Sequence, residues 1–355
     1  MRILITGGAG FVGAQIARLF RRDNRQAQIF VLDNLKRRGS ELNIPILKNE
    51  GVTFVHGDIR SLSDLDGLDG NFDYLIEASA EPSVMAGIDG HSDYVLETNL
   101  VGALNCLKFA VKRTGAFVFL STSRVYSIGP LRKLNLIEQA TRFELAPFQD
   151  TPGASPQGLN ESFPTHLPRS FYGASKLAAE VIIQEYAEAY GLKSVINRCS
   201  VIGGAGQFGK ADQGILSFWV ASHYFKKPLQ YTGFGGSGKQ VRDFLHVEDL
   251  YDLLLLQLAD LNSCQGKTFN VGGGKNNSAS LFELTALAQK IVGTKVSIGS
   301  EPQTALFDVP LYISDNSHVT SRFGWAPKRT LETIVDENYR WIKENEAALK
   351  SIFAP

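Results

Sequence analysis

Through the first two hundred residues, short β-rich runs alternate with stretches of helical spacing. Apolar and β-branched runs at Arg2–Thr6, Ile29–Asp33, Thr53–His56, Tyr74–Glu77, Phe117–Ser121 and Ser194–Arg198 predict strands. Helical periodicity falls between them, most clearly at Tyr94–Lys112 and Tyr172–Tyr190. Near-continuous apolar strands alternating with helices imply a parallel sheet covered on both faces. The expected fold class is therefore α/β, a Rossmann-type doubly wound parallel sheet followed by a smaller C-terminal domain. The leucine run Leu253–Leu256 is interrupted by Gln257 and Asp260, which predicts a buried helix. The chain has no internal repeat and no low-complexity segment.

Two regions break the alternation. Ser127–Ser170 is rich in Pro, Gly, Asn and Ser with one weak helical stretch, far longer than an ordinary connection and so expected to be functional or disordered. Beyond Gly203, glycine clusters at 203–209, 233–238 and 272–274 separate short elements, which predicts the smaller domain.

Composition narrows the class. Lys+Arg and Asp+Glu both total 36 over 355 residues, so no general field favours nucleic acid or a membrane surface. Three cysteines (Cys106, Cys199, Cys264) at wide spacing fit neither a disulfide framework nor a zinc site, and no metal is expected. The chain opens on MRILITGG, already a strand running into a glycine turn, and no apolar run is long enough to span a bilayer. Cytoplasm is the expected location.

The first strand runs into TGGAGFVG, in which Gly7, Gly10 and Gly13 precede and open a helix beginning near Phe11 and Val12. Small residues there permit a tight turn, and backbone N–H groups at a helix start face a pyrophosphate. A lone glycine triplet is weak. This one follows a strand, opens a helix, and is followed by Asp33 at the end of the next strand, with Asn34 beside it. A carboxylate there accepts from both ribose hydroxyls and repels a 2′-phosphate, which favours NAD over NADP. Lys36, Arg37 and Arg38 stand close enough to accommodate a phosphate instead. HGDIR places Asp58 and Ile59 after the third strand, where the carboxylate can meet an adenine amino group or serve only as a turn residue.

FYGASK holds Tyr172 and Lys176 four apart, on one face of a helix. A phenol with an ordinary pKa of about 10 is a poor base at neutral pH. A neighbouring ammonium and a positively charged nicotinamide stabilise the phenolate, and Lys176 can also hold the nicotinamide ribose. Tyr-x-x-x-Lys on an amphipathic helix is ordinary surface chemistry by itself. Here it follows a complete dinucleotide-binding half. STSRVY closes another strand and offers three hydroxyls, Ser121, Thr122 and Ser123, any of which could act as a hydrogen-bond donor or as a cap.

The glycine turn, HGDIR, NLVGALN, the hydroxyls before VY, YGASK and VRDFLHVEDL, in this order along essentially the whole chain, resemble the extended short-chain dehydrogenase/reductase family. The resemblance implies Thr122 as the catalytic hydroxyl, with Ser123 as a supporting neighbour. It assigns Asn99 to the active-site helix, Ala78 and Ala80 to the cofactor wall, and the stretch from Cys199 to Val201 to the nicotinamide. It also implies an NAD-binding domain over 1–198 with a returning segment around 240–275, a mainly substrate-binding domain over 199–355, and a homodimer or homotetramer built on the helices Tyr94–Lys112 and Tyr172–Tyr190.

Within that family ATRFEL, GLNES, GQFGKADQGILSFW and GKQVRDFLHVEDL look like the CDP-paratose (CDP-tyvelose) 2-epimerase group, which implies a nucleotide-diphosphate sugar substrate inverted at C2. A longer insertion before Tyr172, VYS in place of VYG, and AEPSV in the loop after the fourth strand depart from that group. For the diphosphate, Arg242 is the first candidate, since a guanidinium matches phosphate oxygens, although a salt bridge with Asp243 is the plainer alternative. Gln207, Asp212 and Gln213 are candidates to line the sugar or nucleotide pocket; Arg124 and Arg142 are further phosphate candidates. A 4,6-dehydratase of the family carries Asp-Glu just after the catalytic threonine. Ser123 and Arg124 stand there instead, which disfavours elimination. A 4-epimerase stays open, because C2 over C4 rests on resemblance alone. So does an NAD-sensing protein, although such a protein has no need of both Tyr172 and Lys176.

Overall fold

The computed structural model describes residues 1–210 and 213–353. It divides into two compact units, one formed by Met1–Val125, Ser170–Arg198 and Leu250–Phe269, the other by Tyr126–Arg169, Cys199–Asp249 and Asn270–Pro355.

The first unit is built on a parallel sheet of seven strands with flanking helices. Strands β1 (Arg2–Thr6), β2 (Gln28–Asp33), β3 (Thr53–His56), β4 (Phe72–Glu77) and β5 (Thr114–Thr122) supply five. The sheet order runs from the strand Lys267–Val271 through Ser194–Cys199, β5, β4, β1 and β2 to β3. The apolar runs became strands because burial on both faces leaves no polar positions to place: Ile3, Leu4, Ile5, Val31, Leu75 and Phe117 are all buried. Helix Gly102–Arg113 lays Ala103, Cys106, Leu107 and Phe109 into a core shared with Leu75, Phe117, Phe119 and Ile183. Each ring buried there stabilises by about 1.5–3 kcal/mol relative to exposure.

Three features differ from the pattern reading. The helix expected over Tyr94–Lys112 is a short helix Asp93–Leu96, a π-helical turn Glu97–Val101 and the helix Gly102–Arg113. On the helix Val247–Ala259, Leu255 and Leu256 are exposed, whereas Gln257 is buried. Gln257 exchanges two 2.8 Å amide hydrogen bonds with buried Asn197 of the strand Ser194–Cys199, and a buried amide satisfied on both sides escapes most of its desolvation cost.

The third difference is Ser127–Ser170. Its residues form a helix Ile128–Arg132 and two small hairpins, Leu136–Glu138 with Phe143–Leu145 and Ala154–Ser155 with Gly158–Leu159. Strands of two or three residues are too short to show a period. They are held from outside: Phe143 N–H donates to the Lys239 carbonyl (3.0 Å), Lys239 Nζ to Glu138 (2.8 Å), and Asn270 Nδ2 to the Leu159 carbonyl (2.8 Å).

In the second unit the strand Val241–His246 is the hub. It pairs in parallel with Val201–Gly203 and Leu311–Tyr312 and antiparallel with Ser278–Ser280. Helices Ile215–Tyr224, Leu281–Val292 and Leu331–Glu344 pack on one another. Ser280 and Glu283 close a capping box at the start of Leu281–Val292. No helix among the described residues is long and apolar enough to cross a membrane.

Candidate active site

The glycine turn leaves β1 with Gly7 in the left-handed region (φ +65°). A Cβ on Gly7 would sit 2.8 Å from the Ala78 carbonyl oxygen, and one on Gly13 would sit 2.4 Å from the Gly7 carbonyl oxygen. Gly10 N–H donates to the Gly7 carbonyl (3.1 Å), and Gly10 then precedes the helix Phe11–Asp23, where Phe11 and Val12 are half-buried. No side chain caps that helix and no acidic residue lies in its first turn, so its leading N–H groups and positive dipole end are left for an anion. Asn43, absent from the sequence reading, ties the turn from outside by donating to the Ala9 carbonyl (2.8 Å).

Asp33 at the end of β2 is buried and accepts from Ala9 N–H (3.0 Å) and Leu35 N–H (2.8 Å). Burial pushes its pKa up, and N–H groups of Leu35, Ala9 and Gly10 draw it back. Two oxygens with about four acceptor sites leave capacity for ribose hydroxyls. Asn34 donates to Asp58 (2.9 Å). Asp58 is also paired with Arg60 (2.8 Å); burial opposes its ionisation, but Arg60 and Asn34 bring its pKa down to about 2. Its carboxylate therefore meets an adenine only while shared with Arg60. Ile59 lies buried against Gly102, where a Cβ would approach its Cδ1 to 2.4 Å. Asn105 Nδ2 donates to the carbonyls of Ile59 (2.9 Å) and Arg60 (3.0 Å) and so fixes the loop.

Asn99 lies in the π-helical turn and spends its amide on the loop after β4, accepting from Glu81 N–H (2.8 Å) and donating to the Glu81 carbonyl (3.0 Å). It thereby fixes the loop that follows Ala78 and Ala80. Ala78 extends the ladder by donating to the Thr6 carbonyl (3.2 Å), and Ala80 is exposed.

The helix Phe171–Tyr190 starts on Ser170, whose Oγ accepts from Gly173 N–H (3.2 Å), and ends at left-handed Gly191. It packs on β5 and on the turn Ser123–Val125. Thr122, Tyr172 and Lys176 thus belong to two packed elements. Thr122 is buried and its Oγ1 accepts from Arg124 N–H (3.2 Å), leaving its hydroxyl proton to donate. Ser123 and Tyr172 are half-exposed. The three hydroxyls are not equivalent. Ser121 is committed to Glu180, which also takes a two-pronged ion pair from Arg198 (2.7 and 3.0 Å), all three buried.

Lys176 is buried too. Its Nζ lies 3.3 Å from Glu77 Oε2 and 3.9 Å from the Phe119 ring centroid, and Ser79 N–H donates to the other Glu77 oxygen (2.9 Å). Burial pushes the Glu77 carboxyl up, opposed by Lys176. No pattern in the sequence singled out Glu77, which reads as the last residue of an apolar strand.

In the second unit, Cys199 is buried at its strand's end and Val201 opens a strand paired opposite Phe244. Gln207 Nε2 donates to the Ile202 carbonyl (2.9 Å), and neighbouring Phe208 packs edge-on to Trp341. Gln213 exchanges backbone hydrogen bonds with Lys210 (2.7 and 3.0 Å), and Asp212 lies outside the described residues. Arg242 is paired with Asp308 (2.7 Å), not with its neighbour Asp243, which is buried and accepts from Gly274 and Ser314 N–H groups. Arg142, like Arg242, is engaged within the fold. It holds Ser278 Oγ (2.6 Å), the Ser278 carbonyl and Glu283 (3.3 Å), docking the 136–145 hairpin.

Residues 3–272 match the model of the NAD dependent epimerase/dehydratase family, and the chain belongs to that family. It is an enzyme of a class that comprises epimerases and dehydratases. Among its relatives, CDP-paratose 2-epimerase of Salmonella typhi is 32% identical, covering 96% of this chain and 99% of the relative. A dTDP-glucose 4,6-dehydratase of Salmonella typhimurium is 28% identical, covering 97% of this chain and 93% of its own. The solved structure of Pal from Bacillus thuringiensis superposes with a TM-score of 0.79 at 26% identity, covering 97% and 99% of the two chains.

Proposed function

We propose that the protein is an isomerase that inverts one carbinol carbon of a nucleotide-diphosphate sugar, at C2 of a CDP-hexose of the paratose/tyvelose type. The observation that carries inversion over elimination is the turn after β5. Ser123 and Arg124 follow Thr122, and neither offers the acid that expelling a hydroxyl as water requires. C2 and the CDP group rest on the similarity to the Salmonella typhi relative.

Gly7, Gly10, Gly13, Phe11 and Val12 would hold the pyrophosphate of NAD, Asp33 and Asn34 its adenosine ribose, and Asp58 and Ile59 the adenine. Ala78, Ala80, Asn99, Cys199 and Val201 would wall it, with Lys176 at the second ribose. The fit rests on the cradle that a Cβ at residue 7 or 13 would fill, and on the uncapped helix start. When bound, NAD supplies a hydride acceptor and the same hydride as donor.

Tyr172 takes the proton of the reacting hydroxyl and returns it when the carbonyl is reduced from its other face. Thr122 donates to the oxygen that gains charge, with Ser123 beside it. Arg242, its guanidinium fixed by Asp308, receives the diphosphate, and Gln207 and Gln213 line the nucleotide sugar. A homodimer or homotetramer is in keeping with the exposed Val111 and Val181 on the helices Gly102–Arg113 and Phe171–Tyr190. Cytoplasm is the proposed location.

NMR of a CDP-hexose incubated with the purified protein, without added NAD, in ordinary and deuterated water, tests the reading. Inversion at C2 without deuterium uptake is expected. Inversion at C4, or reaction only with UDP-sugars, would replace it by a 4-epimerase; a 4-keto-6-deoxy product would make the protein a dehydratase.

Gly13→Ala tests the cofactor cradle. Its new methyl would overlap the Gly7 carbonyl, so NAD affinity should fall at least about tenfold, some 1.4 kcal/mol. Calorimetric titration with NAD checks it; unchanged affinity would remove the turn from the site.

A further inference from the structure

Thr6 of β1 stands opposite Glu77 of β4, and Glu77 stands opposite Phe119 of β5. In parallel register these three side chains leave the same face of the sheet, near the strands' carboxyl ends. Lys176 from the helix Phe171–Tyr190 meets this group, 3.3 Å from Glu77 and 3.9 Å above Phe119. Lys176 is 2% exposed and Glu77 1%, so water screens neither charge. The ammonium behind Tyr172 is thus already neutralised by a carboxylate that the proposed chemistry does not use.

We propose that Glu77 is a positioning residue that holds the Lys176 ammonium in place and sets the pH at which Tyr172 gives up its proton. The inference rests on Tyr172 as the proton acceptor. A lone buried ammonium pulls strongly on a phenolate four residues away. With Glu77 beside it the local charge is zero, and the pull is partly cancelled.

The other charged groups on packed elements do not duplicate this role. Cys106 on the helix Gly102–Arg113 is buried next to the pair, and burial together with Glu77 pushes its thiol up, so it stays neutral. Lys108 and Lys112 of that helix are exposed, and Arg113 is bound to the carbonyls of Asp66, Leu68 and Gly70. Asp93 is exposed, Tyr94 lies against Arg60 and Lys36, and Glu97 pairs with Arg60. On the same helix as Lys176, Glu180 is held by Arg198. Arg124 sits half-exposed in the turn after β5. At the far ends of β1 and β4, Arg2 and Asp73 contact each other, and Tyr74 is three residues from Glu77.

Replacing Glu77 by glutamine keeps the shape and removes the negative charge. Losing the first proton from the Tyr172–Lys176 pair then takes the local charge from +1 to 0, instead of from 0 to −1. That proton should leave at lower pH, by about 1–3 units for a charge this close. Ultraviolet titration of tyrosinate in the full-length protein reads this directly, each form being compared with its own Tyr172→Phe partner to isolate residue 172. Glu77→Gln is expected to titrate at least about one unit lower than the unaltered protein. No shift, or a shift upward, would overturn the proposal and leave Glu77 as packing. If Glu77→Gln does not fold, Glu77→Asp decides. It withdraws the charge by one methylene, so its titration should move down by less, and an unmoved or raised titration overturns the proposal. The readout needs no turnover, so failure of the epimerase reading in the NMR test would leave this result standing, and the converse holds as well.

Discussion

Tyr172→Phe is expected to lower the turnover number by about 10²–10⁴-fold, the usual worth of one positioned acid–base group, while leaving NAD binding nearly unchanged. The substitution removes one oxygen from a half-exposed side chain in the first turn of a helix capped by Ser170. It keeps the ring, and the buried pairs Lys176 with Glu77 and Glu180 with Arg198 are left intact. A structural explanation for a loss of that size is therefore closed off, provided the thermal midpoint stays within a few degrees. The comparison is the initial rate of sugar inversion by NMR at saturating substrate, with NAD content measured on the same samples. A variant within tenfold of the unaltered rate would mean that another group accepts the proton, and the assignment of Thr122 as its hydrogen-bonding partner would go with it.

The candidate site was legible in the sequence wherever it is local. Gly7 to Gly13 between strand and helix, Asp33 at the next strand's end, and Tyr172 with Lys176 one helical turn apart each need only a short window. What the sequence hides is pairing across distance. Glu77 and Lys176 are 99 positions apart, and Glu77 ends a run that otherwise reads as a buried strand. Arg142 and Arg242 both read as cations near active-site loops, but their partners Glu283 and Asp308 lie 141 and 66 positions away. Only the fold shows that each is held by a carboxylate distant in sequence and by backbone carbonyls beside it. The two asparagines of NLVGALN were visible as a motif. Their work, Asn99 on Glu81 and Asn105 on Ile59 and Arg60, was not, because it is spent on backbone atoms that no side-chain pattern records.

The same logic gives the largest expected effect on stability, at Arg198. Its guanidinium closes a buried network in which Glu180 accepts from both Arg198 and Ser121, with side-chain exposures of 9% for Arg198 and 3% for Glu180. Arg198→Met fits the volume but strands a carboxylate in a dry interior, and breaking a buried pair from one side costs about 3–5 kcal/mol. The double variant Arg198→Met/Glu180→Leu removes both charges and should recover a large part of that loss, since a pair of apolar residues of similar volume is often as stable as the ion pair it replaces. Urea unfolding followed by far-ultraviolet circular dichroism measures both. If the single variant loses less than about 1 kcal/mol, the network is solvated in solution and behaves as a surface pair. If the double variant is no better than the single one, the network does more than satisfy a charge. Ser121 precedes Thr122 and Glu180 lies two turns beyond Tyr172 on its helix, so the network would then be the clamp that keeps the hydroxyl-bearing strand end and the tyrosine-bearing helix in register.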